Sequence, residues 1–170
     1  MRVSKQSLLN SALYSAAVLA LGSFSLMPAQ NLSEQDQKFI QDAAKGGMME
    51  VHMGRMGLER GSSRAIKSLS QHLVNDHKAA NQELAALAKQ KGVSLPGDDA
   101  QMAASMPFAT KSGDDFDKAF ARAAVEDHQK DIAEFEKEAR SGNDADLKNW
   151  ATKTLPTLRA HLAEAQSLPQ

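Results

Sequence analysis

The stretch FIQDAAKGGMMEVHMGRMGLER, residues 39–60, decides the fold that the sequence predicts. Apolar and small residues recur in it at steps of three and four, the spacing of one helix face: Phe39, Ile40, Ala43, Gly47, Val51, Gly54 and Leu58. A helix of about residues 33–60 is therefore expected. Because glycine weakens a helix, we expect Gly46, Gly47 and Gly54 to be there so that a neighbouring helix can approach closely.

Three later segments repeat the helical spacing, at about residues 63–91, 114–140 and 144–168. The second of these begins at 114 or 115. Pro156 should kink the last segment or divide it in two. No strand pattern appears, so the fold class is all-α and a four-helix bundle is expected. The connection of residues 93–111, with a short helix near 98–105, is long enough to cross the bundle as in ferritin-like folds. A short loop decorated with a helix fits it too, so the direction of the third helix stays open.

The N-terminus has the form of a secretory signal. Arg2 and Lys5 precede an uncharged, largely apolar run at residues 11–24, and cleavage is expected after Ala29 or Ser25. The run is short for a transmembrane span, although an uncleaved anchor is the alternative. We expect a signal peptide at residues 1–29, a bundle domain at 30–170, and a periplasmic or secreted protein with no membrane span after signal removal.

Composition excludes several classes of function. The chain has 170 residues, no cysteine, a formal charge of -1 and 5% aromatic residues. Thiolate metal sites and cysteine catalysis are excluded, and the basic footprint of a nucleic-acid-binding protein is missing. No nucleophile–base pair or cofactor fingerprint appears, so no catalytic residue is assigned and a non-enzymatic role is favoured. The sequence indicates no particular protein partner or oligomeric state.

Four polar residues fall at the same depth of the predicted bundle: Glu50, His77, His128 and His161. At ~1.5 Å per residue, each lies near the middle of its helix. Three imidazoles and one carboxylate suit a single transition-metal ion, Zn, Fe or Cu. Asp76, Asp131 and Glu164 are placed to orient the rings.

Two other interpretations stand beside this metal site. Each histidine can be a core residue that is hydrogen-bonded on its own, with Glu50 paired to one of them or to a cation. Alternatively, His52 with the thioethers of Met49, Met53 and Met56 would suit Cu(I), although methionine commonly fills gaps on a packed helix face.

Short motifs in the right order give the chain a resemblance to a known family. They are GGMMEV at residues 46–51, VNDH at 74–77 followed by Asn81 and Glu83-Leu84, Phe116-Asp117, His128 with Phe135-Glu136, and Leu155-Pro156 with His161-Leu162. In these the chain resembles a bacterial family of exported proteins of unknown function, often labelled "predicted outer membrane protein" and placed with the ferritin-like bundles. The resemblance covers about residues 39–168.

The resemblance implies the bundle fold but no established activity. Ferritin-like di-iron centres use Glu-x-x-His on two helices. Here Met53 follows Glu50 at that spacing, and Val74, Val125 and Leu158 precede the three histidines. A four-carboxylate di-iron centre is therefore not expected. The remaining expectations are an envelope or stress-related binding protein without catalysis, or a metal-binding protein that uses the Glu/His set.

Overall fold

The computed structural model describes residues 32–98 and 101–170. Its helices are α1 (Glu34–Arg60), α2 (Arg64–Gln90), α3 (Gln101–Ala104), α4 (Gly113–Ser141) and α5 (Ala145–Gln166). The four long helices lie within two residues of the predicted bounds, and the short helix expected near 98–105 is α3. The predicted signal peptide lies outside the described residues.

Local signals fix where the long helices begin and end. The side chain of Ser33 accepts a hydrogen bond from the backbone N–H of Asp36, so that it caps α1, and Ser63 caps α2 in the same way. The Asp144 carboxylate caps α5. These caps satisfy backbone donors that the first helical turn leaves unpaired. After α2, Gly92 turns the chain with a positive φ of 70°.

Hydrogen bonds between helix ends establish the topology. At one end of the bundle Gln35, near the start of α1, donates to Glu138 near the end of α4. At the same end Lys91, after α2, binds Asp144 at the start of α5. Thus α1 is antiparallel to α4, and α2 is antiparallel to α5. The order is up, down, down, up, so the connection between α2 and α4 runs from one end of the bundle to the other, as a long crossover.

The core consists of two apolar clusters, one towards each end of the bundle. One contains Phe108, Phe116 and Phe120 with Met53 and Leu73, and the other contains Phe39, Phe135 and Trp150 with Leu84 and Leu147. Phe108 belongs to the crossover, so this connection contributes to the core of the bundle. The histidines predicted as ligands belong to neither cluster.

Two of the three predicted close approaches exist. A Cβ on Gly47 would lie 2.0 Å from Asn81 Oδ1, and one on Gly54 would lie 2.7 Å from the backbone oxygen of Ser70. A Cβ on Gly46 would meet nothing closer than Asp131, at 3.7 Å. Gly46 therefore does not serve helix packing, and the prediction for it is wrong.

Pro156 lies inside one continuous helix, α5, and does not divide it. Among the helices at residues 32–98 and 101–170, none combines the length and the apolar character needed to cross a lipid bilayer.

Candidate metal centre

Three of the four predicted ligands meet inside the bundle. His77 of α2, His128 of α4 and His161 of α5 each offer one ring nitrogen, and these nitrogens lie within 4.8 Å of one another. All three residues are buried, at 6%, 0% and 3% exposure. His77 and His128 lie near the middle of α2 and α4, whereas His161 lies closer to the end of α5, the shortest of the four long helices.

The hydrogen bonds of two rings determine which nitrogens carry protons. His128 Nδ1 lies 2.9 Å from the carbonyl oxygen of Ala124, one turn earlier in α4. A carbonyl only accepts, so Nδ1 is the donor. His161 Nε2 lies 2.9 Å from Asp76 Oδ2, and a carboxylate likewise accepts. In the neutral rings, His128 Nε2 and His161 Nδ1 therefore carry lone pairs.

These two lone-pair nitrogens face each other at 3.3 Å. Two acceptors cannot form a hydrogen bond with each other unless a proton or another cation lies between them. The separation matches the ~3.3–3.4 Å between two ligands of a tetrahedral ion with bonds of ~2.0–2.1 Å. This pair therefore has the chemistry and the spacing of a metal-binding edge.

The third ring, His77, adds a nitrogen without a partner. Within the described part of the chain, its buried Nε2 has no hydrogen bond. The His77 ring centroid lies 5.7 Å from that of His128 and 5.4 Å from that of His161. A nitrogen pair at the 4.8 Å limit would have to approach by about 1.4 Å to reach the ~3.4 Å spacing of two ligands of one tetrahedral ion.

Glu50, the fourth predicted ligand, contacts a different side of the site. Its Oε1 lies 3.4 Å from His128 Nδ1, the nitrogen that donates to the carbonyl oxygen of Ala124. His128 faces His161 with its other nitrogen, Nε2. Glu50 is 2% exposed, and neither of its carboxyl oxygens has a hydrogen bond to residues 32–98 or 101–170. The structure thus places Glu50 beside a candidate ligand and outside the group of converging nitrogens.

Burial disfavours the charged forms of His77, His128 and Glu50. Burial, followed by repulsion from His161, lowers the pKa of His128 to about 4. Burial, with repulsion from His128 and His161, holds the pKa of His77 well below its usual range. Burial, with the charges of Asp131 and Asp127, raises the pKa of Glu50 well above its usual range. At neutral pH the His77 and His128 rings are therefore unprotonated, the form in which imidazole binds metals.

The thioether alternative does not assemble around His52. Met53 is buried in the core, and Met49 and Met56 pack against the same apolar cluster. His52 instead lies near the surface, where its Nε2 is 2.6 Å from Asp98 Oδ1. The methionines therefore act as packing residues in this structure.

Of the three predicted orienting carboxylates, only Asp76 contacts a candidate ligand. Glu164 binds His72 instead, with 2.9 Å between His72 Nδ1 and Glu164 Oε2. Asp131 forms no hydrogen bond to any of the three rings. The sequence analysis missed the carbonyl of Ala124 as the partner of His128, although its position four residues earlier in a helix was the available signal.

Comparisons with known proteins agree with this fold. Residues 22–168 match the family model described as "Domain of unknown function (DUF4142)". The crystal structure of a DUF305 fragment from Deinococcus radiodurans has a TM-score of 0.68 at 15% identity, over 79% of this chain and 95% of that chain. CopM in the Cu(I)-bound form has a TM-score of 0.63 at 16% identity, over 77% of this chain and 92% of that chain. At such identities the likeness shows the fold alone. Comparison with curated proteins gave no match.

Proposed function

The chain belongs to the DUF4142 family, a domain of unknown function, and we propose that it binds one transition-metal ion through His77, His128 and His161. The observation that carries this proposal is the 3.3 Å separation of His128 Nε2 and His161 Nδ1. When both rings are neutral, each of these nitrogens presents a lone pair, because the opposite nitrogen of its ring is held as a donor. A metal ion resolves this contact and also occupies the unpartnered nitrogen of His77.

The surroundings of the rings support metal binding as well. Metal-bound histidines usually donate their other N–H to a carboxylate or a backbone carbonyl, which fixes the ring and raises its basicity. Asp76 and Ala124 have these two roles here. We propose Glu50 as a buried neighbour of the site and not as a ligand.

Copper as Cu(I) is the first candidate ion, with Zn²⁺ and iron next. Neutral imidazoles suit all three metals. No carboxylate lies among the converging nitrogens, so a monovalent ion leaves less uncompensated charge in the buried site than a divalent one. The structural neighbour CopM is described in a Cu(I)-bound form, which supports testing copper first.

A second candidate function requires no metal ion. The contacts of His128 with Ala124 and of His161 with Asp76 also fit a structural polar core, with one proton shared between the two facing nitrogens. The bundle would then act as an envelope or stress-related binding protein without catalysis.

For either function we propose export, with residues 1–29 as the signal peptide and 30–170 as the domain. Membership of the ferritin-like superfamily stays a prediction, which the long crossover supports.

Metal content of the protein, purified without a polyhistidine tag, separates the two functions. We expect close to one ion per chain by elemental mass spectrometry, and its loss in His128→Gln. The matched control is His52→Gln, which removes a carboxylate-bonded histidine outside the site and should retain the metal. Circular dichroism checks that both variants fold.

The metal proposal fails if the wild type contains no ion and shows no thermal stabilisation by Cu(I), Zn²⁺ or Fe²⁺. An ion that binds only the native state adds RT ln(1 + L/Kd) to the free energy of unfolding, where L is the free ion concentration, so the unfolding temperature should rise with the logarithm of the ion concentration above the dissociation constant. Retention of metal in His128→Gln would also contradict the assignment.

A further inference from the structure

We propose that the ion reaches this site through the seam between α2 and α5, and that the Asp76 carboxylate attracts it at the entrance. This inference rests on the proposed metal site and adds its route of access. Asp76 belongs to α2 and contacts His161 of α5 across the seam, with 2.9 Å between Oδ2 and Nε2. It acts as a positioning residue and as the first carboxylate that an incoming cation meets.

Exposure rises in one direction from the centre of the site. The side chain of His128 is 0% exposed, that of His161 is 4% and that of Asp76 is 46%. These three side chains form one continuous series of contacts from the core to solvent. In the opposite direction, His128 is followed by Glu50, whose side chain is 2% exposed. The α2–α5 seam is therefore the shortest route from the site to water along these contacts.

The outer part of the seam is suited to attracting a cation. One turn before Asp76, His72 of α2 binds Glu164 of α5, so a second carboxylate and an imidazole lie beside the entrance. In the described part of the chain, Asp76 and Glu164 form their ion pairs with histidines and not with lysine or arginine. Clustered negative charge raises the local concentration of cations and their association rate.

A small cavity offers the competing route. It has a volume of about 20 Å³ and is lined by residues of all four long helices, including His77, Asn81 and Asp131. Such a volume holds about one water. Asn81 packs so closely on Gly47 that a Cβ would lie 2.0 Å from its Oδ1. Among the described residues Asp131 has no hydrogen bond to a histidine of the site, whereas Asp76 is bonded to His161, so the structure favours the seam.

Metal uptake measured by stopped flow tests the route. The probes are Zn²⁺ alone and Cu(I) in a weak chelator, added to metal-free wild type, Asp76→Asn and Asp131→Asn. Asparagine retains an oxygen that accepts the His161 N–H, so the ring keeps its orientation while the charge is lost. We expect Asp76→Asn to slow uptake roughly five- to tenfold at low ionic strength. The difference should shrink at high salt, where charges at the surface are screened.

The matched variant Asp131→Asn should load at the wild-type rate. If Asp76 serves only to orient His161, Asp76→Asn will load at the wild-type rate, and the proposed route is overturned while the metal site stands. Slow loading in Asp131→Asn, with normal loading in Asp76→Asn, would assign the cavity as the entrance. Absence of binding in the wild type would refute the proposed function, and the route with it.

Discussion

Replacing Gly54 by alanine should destabilise the bundle, whereas the same change at Gly46 should stabilise it. Both residues lie in α1, so both substitutions gain about 0.5–1 kcal/mol from the lower entropy of the unfolded chain and the better helix propensity of alanine. The two sites differ only in what the new methyl group meets. This pair therefore isolates helix packing from helix propensity.

At Gly54 the added Cβ would lie 2.7 Å from the backbone oxygen of Ser70 and 2.8 Å from Val74 Cγ2. A backbone atom cannot move aside as a side chain can, so α1 and α2 must separate. Overpacking of this kind costs about 1–3 kcal/mol, which exceeds the propensity gain. At Gly46 the nearest atom is Asp131 Oδ1 at 3.7 Å, an ordinary contact, and the gain of about 0.5–1 kcal/mol remains.

Urea unfolding at equilibrium, in buffer with a chelator, measures both effects. The midpoint should move down for Gly54→Ala and up for Gly46→Ala, with an unchanged denaturant slope. The chelator is needed because an ion bound to the native state would add its own stabilisation. Equal shifts of the same sign in the two variants would refute the reasoning, since propensity alone would then account for both.

Three further outcomes are expected. Burial, with the nearby Asp36, raises the pKa of Glu138 to about 7 from 4.5, so its ionisation should lower the stability of the wild type relative to Glu138→Gln by roughly 1–3 kcal/mol as the pH rises from 5 to 8; parallel stability–pH curves for the two proteins would contradict it. The Asp117 carboxylate accepts hydrogen bonds from Ser62 and Ser63 in the turn after α1, and Asp117→Ala should lower the free energy of unfolding by about 1–2 kcal/mol, with Asp117→Asn intermediate. The proposed metal site predicts that a chelator lowers the unfolding temperature of the wild type as purified; an unchanged temperature would show that no bound ion stabilises the native state.

The fold was predictable because it depends on periodicity and end signals. The spacing of apolar residues gave four helices, and Ser33, Ser63 and Asp144 cap three of them. The direction of α4 was not predictable, because the midpoint of a helix lies at the same depth whichever way the helix runs. It is settled by contacts between distant residues, such as that of Gln35 with Glu138.

Depth along the helices predicted which residues lie at one level, but not which atoms face each other. His161 has the right depth, and its Nδ1 faces His128 Nε2 at 3.3 Å. Glu50 has the right depth, yet its oxygen approaches the donor nitrogen of His128. Which atoms face each other depends on the rotation of each helix about its own axis. That rotation is set by packing between helices. Gly46 and Gly54 show the same limit, because identical residues in one helix face different surroundings.

The three histidines are divided between two helical hairpins, which determines when the site forms during folding. His77 belongs to the first hairpin, α1 and α2, whereas His128 and His161 belong to the second, α4 and α5. Each hairpin can form from contacts that are local in sequence, which is the faster kind of folding step. The complete set of nitrogens exists only after the two hairpins have docked. An ion bound to all three histidines would therefore stabilise the docking of the two hairpins. Two fragments produced by a cut within the crossover would associate more tightly in its presence.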